Sequence, residues 1–270
     1  MKNKAIGIFD SGLGGLTTVK ELRKILPNEN IIYFGDTLRV PYGSRSPETI
    51  KKYAIDDVNF LLNQDVKMII AACGTVSSVA TDLEKNLKVP FIKVVEPTAI
   101  AAFSATKNKK VGVIGTSATI KTSSYKNELK QLDSKIEVFE KDCPLFVPLV
   151  ENGFIEDHVT TLVAKRYLLP LKDQDIDTLI LGCTHYPIIR STIEKVMGNG
   201  VKIIDSGMET AKFAAKKLQE LEILNTSDQK GKCSFFVSDS VESFSKTAKI
   251  FLGESLEGLV EKVDINQFSV

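Results

Sequence analysis

Short apolar segments alternate along this chain with segments whose apolar residues recur every three or four positions. The first kind is rich in Val, Ile and Phe and is mostly followed by polar turn residues, as buried strands are. It comprises KAIGIFD, NIIYFGD, VKMIIAA, VPFIKVV, KVGVIGT, KIEVFEKD, DTLILGC, VKIIDSG and CSFFVSD. The helical spacing occurs in GLTTVKELRKIL, SPETIKKYAIDDVNFLLNQ and METAKFAAKKLQEL. The alternation predicts an α/β protein with mainly parallel sheets, in which ligands bind beyond the carboxyl ends of the strands.

Two pairs of segments resemble each other at similar distances along the chain. IGIFDSG resembles VGVIGTSAT, and MIIAACGTVSS resembles LILGCTHYP, at offsets of about 105 and 110 residues. The repetition predicts two similar α/β domains with the active site in the cleft between them. We expect the first domain to comprise residues 1–97 and 207–270, and the second to comprise residues 98–206, because Pro97 interrupts the chain between the halves.

Composition narrows the class of protein. The chain has 270 residues, of which 43% are hydrophobic and 26% charged, which is ordinary for a globular protein. The 35 basic and 34 acidic residues nearly balance, so nothing indicates a nucleic-acid partner. The apolar stretches are only strand-sized, and no signal peptide precedes the first strand, so we expect a cytoplasmic protein with no membrane segment.

Four cysteines are candidates for chemistry or for packing. A reducing cytoplasm keeps thiols free, and no spacing typical of a metal site links Cys73, Cys143, Cys183 and Cys233. Cys143 lies in a connector with no polar cluster and Cys233 begins an apolar strand, so both are interpreted as structural. Cys73 and Cys183 instead end two equivalent strands, and each is followed within two positions by a threonine. The repeat therefore predicts two thiols facing each other across the cleft.

Paired thiols are suited to the inversion of a stereocentre. A cysteine between a strand and a helix lies near backbone N–H groups and the positive end of the helix dipole, which we expect to lower its pKa. One thiolate then removes a proton from one face of a carbon acid, and the opposite thiol donates a proton to the other face. This chemistry requires no metal and no organic cofactor.

Polar residues beside these strands match an amino-acid substrate. Asp10 could orient an ammonium group or relay a proton from Cys73, and His185 could shuttle a proton beside Cys183. Hydroxyl donors for substrate carboxylates come from Ser11, Thr75, Thr116, Thr119 and Thr184. Structural roles stay open, since Asp10, Ser11 and the threonines are also common helix caps and His185 is equally compatible with a buried, hydrogen-bonded ring.

Several motifs together resemble those of glutamate racemases, in the cofactor-independent aspartate/glutamate racemase family. They are GIFDSGLGGLTTVKE at 7–21, YFGDTLRVPYGSRS at 33–46, AACGT at 71–75, VVEP at 94–97, GTSATI at 115–120 and LGCTHYP at 181–187. The resemblance implies that Cys73, assisted by Asp10, acts on D-glutamate, and that Cys183, assisted by Glu151 and His185, acts on L-glutamate. The substrate pocket that it implies consists of Asp10, Ser11, Tyr42, Gly43, Gly74, Thr75, Thr116, Thr119, Thr184 and His185. It also implies a role in supplying D-glutamate for peptidoglycan, and a homodimer.

One position departs from the family pattern. The family normally has Asn directly after the first cysteine, where this chain has Gly74. We expect the glycine to leave a gap for water or another residue, and to weaken substrate binding or alter the rate at Cys73.

Other functions are compatible with parts of this pattern. Racemisation of aspartate needs the same chemistry. A two-domain cleft is also typical of proteins that bind an amino acid without changing it, although binding requires no paired thiols. A pyridoxal enzyme can also racemise amino acids, and some members of the family inhibit another protein such as a topoisomerase.

Overall fold

The computed structural model describes residues 1–269, and its strands form two parallel sheets. The six-stranded sheet has the order β10-β9-β2-β1-β3-β4 and comprises β1 (Ile6–Asp10), β2 (Ile31–Gly35), β3 (Met68–Ala71), β4 (Phe91–Lys93), β9 (Cys233–Val237) and β10 (Val260–Lys262). The four-stranded sheet has the order β6-β5-β7-β8 and comprises β5 (Lys110–Gly115), β6 (Glu137–Asp142), β7 (Thr178–Leu181) and β8 (Lys202–Asp205). We call each sheet with its helices a lobe, the first lobe containing the six-stranded sheet. The predicted α/β class with parallel sheets is confirmed.

Helices connect the strands. They are α1 (Leu16–Ile25), α2 (Pro47–Asn63), α3 (Gly74–Val79), α4 (Val95–Ala105), α5 (Ser117–Thr122), α6 (Ser124–Leu132), α7 (Phe146–Glu151), α8 (His158–Lys172), α9 (Arg190–Met197), α10 (Ser206–Glu220) and α11 (Val241–Leu252). Short 3-10 helices cover Tyr42–Ser44, Leu83–Asn86, Tyr186–Ile189 and Ile265–Phe268. Among residues 1–269, no helix is both long enough and apolar enough to cross a bilayer.

The two lobes repeat one strand order. The order β2-β1-β3-β4 in the first lobe corresponds to β6-β5-β7-β8 in the second. Each first strand, β1 or β5, lies between the next two strands of its own lobe. All five residues of β1 are buried, as expected for a parallel strand covered on both faces. The prediction of two similar halves is therefore confirmed, and Cys73 and Cys183 follow the equivalent strands β3 and β7.

The strands of the two sheets come from different parts of the chain. Strands β1–β4, β9 and β10 belong to one sheet, and β5–β8 belong to the other. Helix α4 spans the predicted boundary at 97/98, and α10, which begins at Ser206, packs against α1 of the first lobe. The precise boundaries at 97/98 and 206/207 stay a prediction.

Local sequence explains where the helices begin. Ser46 accepts a hydrogen bond from the backbone N–H of Thr49, and Pro47 occupies the first turn of α2. Asp205 similarly accepts from the N–H groups of Gly207 and Met208 at the start of α10. All nine predicted strands are present, but the prediction missed β10, a three-residue strand at the edge of the sheet with one buried residue.

Candidate active site

The two thiols that follow β3 and β7 open into one cavity between the lobes. Cys73 precedes α3, and Cys183 precedes the 3-10 helix Tyr186–Ile189. The cavity has a volume of about 940 Å³, and both cysteines lie on its wall. Cys73 and Cys183 are only 5% and 6% exposed, respectively. The fold thus brings together two nearly buried thiols that are 110 positions apart in the sequence.

Most of the predicted site residues lie on the same wall. Besides the two cysteines, they are Ser11, Tyr42, Gly43, Gly74, Thr75, Thr116, Glu151, Thr184 and His185. Asp10 and Thr119 are not on the wall but lie directly behind it, both 1% exposed. The other two cysteines are elsewhere, with Cys143 buried and Cys233 half-buried in β9.

Hydroxyl groups cross the cleft between the lobes. The Thr75 hydroxyl of the first lobe is hydrogen-bonded to the Thr116 hydroxyl of the second, with their oxygens 2.9 Å apart. Thr116 is also hydrogen-bonded to the Thr119 hydroxyl, at 3.0 Å, and caps α5 by accepting from the Thr119 N–H. Thr119 therefore supports the cavity wall through Thr116. Thr116 therefore both caps α5 and lines the cavity, so the structural role and the site role are compatible at this residue.

The environment of Cys73 keeps its thiol neutral. Burial raises the pKa of Cys73 to about 12, and the nearby carboxylate of Asp10 raises it as well. A backbone N–H at Val76, at the start of α3, and the hydroxyl of Ser11 at 3.6 Å act in the opposite direction. The start of α3 lowers the pKa of Cys73 as expected, but burial outweighs this effect, so the expectation of a lowered pKa overall is wrong.

His185 carries a positive charge in the second lobe. Its Nε2 lies 2.9 Å from Oε1 of Glu151, and its Nδ1 lies 4.0 Å from Sγ of Cys183. Burial disfavours the charged ring, but the contacts with Cys183 and Glu151 prevail and raise the pKa of His185 to about 10. An imidazolium near pH 7 therefore lies beside Cys183, whereas the largest charge effect on the pKa of Cys73 comes from the carboxylate of Asp10.

Asp10 connects the first lobe to the Cys183 loop. Its Oδ2 accepts from the N–H of Gly12 at 2.9 Å, and its Oδ1 accepts from the Thr184 hydroxyl at 3.4 Å. Burial raises the pKa of Asp10, although the positive charge of His185 and these hydrogen bonds counteract it. Because the carboxylate lies behind the wall, its contact with the cavity passes through Thr184 and Gly12.

The structure corrects the expectation of a gap at Gly74. A Cβ added to Gly74 would lie 2.2 Å from the carbonyl oxygen of Gly182, in the other lobe. The space into which a side chain would first extend is therefore already filled by backbone.

Sequence reasoning missed a buried ionic network that holds the Tyr42 segment. Arg39 donates to Asp36 at 2.5 Å, to Asp56 at 2.6 Å and to Asp57 at 3.0 Å. Its side chain is 12% exposed, and the three carboxylates are nearly or fully buried. In the sequence, the one indication of this network is the position of Asp36. It directly follows β2, much as Asp10 stands at the end of β1.

Tyr42 attaches the cavity wall to this network. Its hydroxyl contacts Asp36 and lies 3.1 Å from Oδ2 of Asp57. Burial and then the charge of Asp36 raise the pKa of Asp57 well above its usual range, which favours the neutral form of this carboxyl where three acids share one cation. The Tyr42–Ser44 segment is thus fixed to α2 through hydrogen bonds to buried acids.

Removal of the Arg39 charge should destabilise the first lobe. Arg39→Met leaves three buried carboxylates without their cation, and we expect the free energy of unfolding to fall by about 3–5 kcal/mol. Arg190→Met is the matched control, since Arg190 pairs with Glu194 at the surface and its loss should cost less than about 1 kcal/mol. Urea denaturation measures both, and equal losses would contradict the structural role of the network.

The charge on His185 predicts a pH-dependent stability. Because its pKa rises from 6.5 to about 10 on folding, the stabilisation is complete below pH 6.5 and disappears as the pH rises through 10. His185→Gln should therefore lower stability most near pH 6, and its deficit against the wild type should shrink toward pH 10. Urea midpoints across this range test it, with the exposed His158→Gln as control. A deficit independent of pH would show that the ring is neutral.

Comparisons with known proteins agree with this geometry. The model of the Asp/Glu/Hydantoin racemase family matches residues 16–214. A glutamate racemase of Geobacter metallireducens is 45% identical over 254 residues, 94% of each chain. The crystal structure of glutamate racemase from Francisella tularensis in complex with D-glutamate has a TM-score of 0.92 and 40% identity, covering 99% of this chain and 100% of that one. The glutamate racemase isoform RacE1 from Bacillus anthracis has a TM-score of 0.94 and 41% identity, covering 98% of each chain. The chain therefore belongs to the Asp/Glu/Hydantoin racemase family, as its motifs predicted.

Proposed function

We propose that this protein is a glutamate racemase that interconverts L- and D-glutamate by proton transfer between Cys73 and Cys183. The observation that carries the proposal is the pair of nearly buried thiols, which follow equivalent strands of two similar lobes and line one cavity. The substrate is inferred from relatives of 40–45% identity over nearly the whole chain, which are named glutamate racemases.

The two thiols lie in different electrostatic environments before substrate binds. With a pKa of about 12, Cys73 is a neutral thiol at pH 7 and is ready to donate a proton. The imidazolium of His185 beside Cys183 stabilises negative charge on that sulfur. In this state Cys183 removes the α-proton of L-glutamate, and Cys73 protonates the opposite face of the carbanion to give D-glutamate.

The reverse reaction starts from the other protonation state. Cys73 must then be the thiolate, and burial and the charge of Asp10 both oppose that form. We propose that the substrate ammonium offsets this negative charge when D-glutamate binds. Glu151 holds the His185 ring in place through its Nε2, so that Nδ1 faces Cys183.

Hydroxyl and amide groups of the wall provide the substrate site. We assign the carboxylates of glutamate to the donors of Ser11, Thr75, Thr116, Thr184 and the Tyr42–Gly43 segment, all of which line the cavity. Thr119 and Asp10 act from behind the wall through Thr116 and Thr184. We also assign the backbone of Gly74, at the start of α3, to the substrate site.

The wider role follows from the family resemblance alone. We propose that the enzyme supplies D-glutamate for peptidoglycan, in the cytoplasm and as a homodimer. Analytical ultracentrifugation tests the dimer. Circular dichroism of incubated L-glutamate and L-aspartate tests the reaction, since lost ellipticity with aspartate alone would reassign the substrate, and retained ellipticity with both would favour a binding protein.

Assigning each thiol to one direction of the reaction requires an isotope experiment. The enantiomers have equal free energy in an achiral solvent, so kcat/KM is equal in both directions for every active variant. Incorporation of deuterium from D₂O into recovered substrate avoids this constraint, because it reports whether a single thiol removes and returns the α-hydrogen without inversion.

Each thiol variant should retain exchange with one enantiomer. We expect Cys73→Ser to lose racemisation by more than about 100-fold while Cys183 still exchanges the α-hydrogen of L-glutamate. Cys183→Ser should exchange only D-glutamate. Cys233→Ser, which alters a half-buried thiol in β9, should behave as the wild type. Proton NMR in D₂O measures all three, and the same pattern of exchange in both active-site variants would refute the assignment of one thiol to each face.

A further inference from the structure

Three glycines of the first lobe face residues of the second lobe at the cleft. A Cβ on Gly14 would lie 2.0 Å from Oγ1 of Thr184, and one on Gly43 would lie 3.0 Å from Cβ of Thr116. A Cβ on Gly74 would lie 2.2 Å from the carbonyl oxygen of Gly182. We call these three residues the glycine seam.

The seam is distinct from the other glycines of the first sheet and its loops. Added Cβ atoms at Gly7, Gly12, Gly15 and Gly35 would meet residues of their own lobe. The seam glycines come from three separate segments, the loop before α1, the Tyr42–Ser44 helix and the start of α3. The three seam glycines have in common that an added Cβ would contact the opposite lobe.

Gly74 makes the least adaptable of these contacts. Its neighbour is a backbone carbonyl, whereas the neighbours of Gly14 and Gly43 are side-chain atoms. The Gly182 carbonyl belongs to the loop that carries Cys183, and the Gly74 backbone directly follows Cys73. In addition, Gly is about 1 kcal/mol less favourable than Ala in a helix. Local helix stability therefore does not account for a glycine at the first position of α3.

Hydrogen bonds around the seam require the same close approach. The Thr75–Thr116 bond spans 2.9 Å, and Ser124 donates to Ser78 across the lobes at 2.7 Å. Moving a Cβ at position 74 from 2.2 Å to an ordinary contact of 3.4 Å would separate the lobes locally by roughly 1 Å. Such a shift would break the Thr75–Thr116 bond.

We propose that Gly74 is a positioning residue, whose missing side chain sets how closely the two lobes approach and hence the placement of Cys73 and Cys183 around one carbon. The proposal rests on the racemase function above. Because an added Cβ would meet the Gly182 carbonyl, we expect an Asn at this position, as the family resemblance would suggest, not to improve the enzyme. A misplacement of about 1 Å between catalytic groups can cost about 100-fold in rate.

Gly74→Ala and Gly74→Asn test the seam with three readouts. We expect kcat to fall by about 10–100-fold, and deuterium exchange with retention to rise relative to inversion, because one thiol still reaches the α-carbon while the other is displaced. The third readout needs no turnover. Alkylation of Cys73 and Cys183 by iodoacetamide, followed by mass spectrometry, should be several-fold faster, while the fully buried Cys143 provides an internal reference.

Two glycine variants away from the seam serve as controls. Gly112→Ala would place a Cβ 2.4 Å from Cδ1 of Ile176 within the second lobe, so it should lower stability without changing the exchange ratio or the alkylation of Cys73 and Cys183. Gly200→Ala extends into open space and should change nothing.

The outcomes separate this proposal from the proposed function. Wild-type kcat and wild-type alkylation in Gly74→Ala, or a higher kcat/KM in Gly74→Asn, would overturn the role of Gly74. A wild-type protein that fails to racemise glutamate would refute the function, while faster alkylation in Gly74→Ala would still support the seam. Should both Gly74 variants fail to fold, Gly14→Ala takes their place, and unchanged alkylation there would overturn the proposal.

Discussion

The structure depends on the close approach of two lobes whose reactive groups come from different sheets. Cys73 and Cys183 follow equivalent strands, and neither sheet alone forms the cavity that both thiols line. The contact is backbone against backbone at Gly74 and Gly182, with hydroxyl pairs such as Thr75–Thr116 beside it. At this cleft the two lobes therefore pack through small residues and short hydrogen bonds, whereas the core of each lobe packs through large apolar side chains.

The repeated topology does not produce a repeated electrostatic environment. The first thiol lies in a buried site near the carboxylate of Asp10, which keeps it neutral, whereas the second lies beside the imidazolium of His185. Asp10 also contacts Thr184 of the Cys183 loop, and the positive charge of His185 counteracts the effect of burial on Asp10. The two environments are coupled, so the charge on one side of the cleft is balanced partly by the other.

The strand pattern was sufficient to predict both sheets, because buried parallel strands such as β1 and β7 are almost continuously apolar. It missed β10, which is short, mostly exposed and at an edge. Motifs were sufficient to predict most of the residues that line the cavity, but the electrostatics of these residues could not be predicted. The pKa of Cys73 follows from burial, which outweighs helix α3, and the network around Arg39 joins residues from separate segments. The steric role of Gly74 likewise depends on the opposite lobe.

In the proposed mechanism, the unequal thiols have a consequence for the catalytic cycle. The equilibrium between enantiomers is fixed at one, so the asymmetry of the site cannot favour D-glutamate as product. It instead determines the protonation state to which the free enzyme returns. After L-glutamate is converted, Cys73 has lost its proton and Cys183 has gained one, although burial and the charge of Asp10 favour the neutral thiol at Cys73. A proton must therefore reach Cys73 again before the next L-glutamate reacts, and burial favours that return because it favours the neutral thiol. The imidazolium of His185, whose Nδ1 lies 4.0 Å from Cys183, already carries its proton near pH 7, so it acts on Cys183 through its charge and not as a proton acceptor.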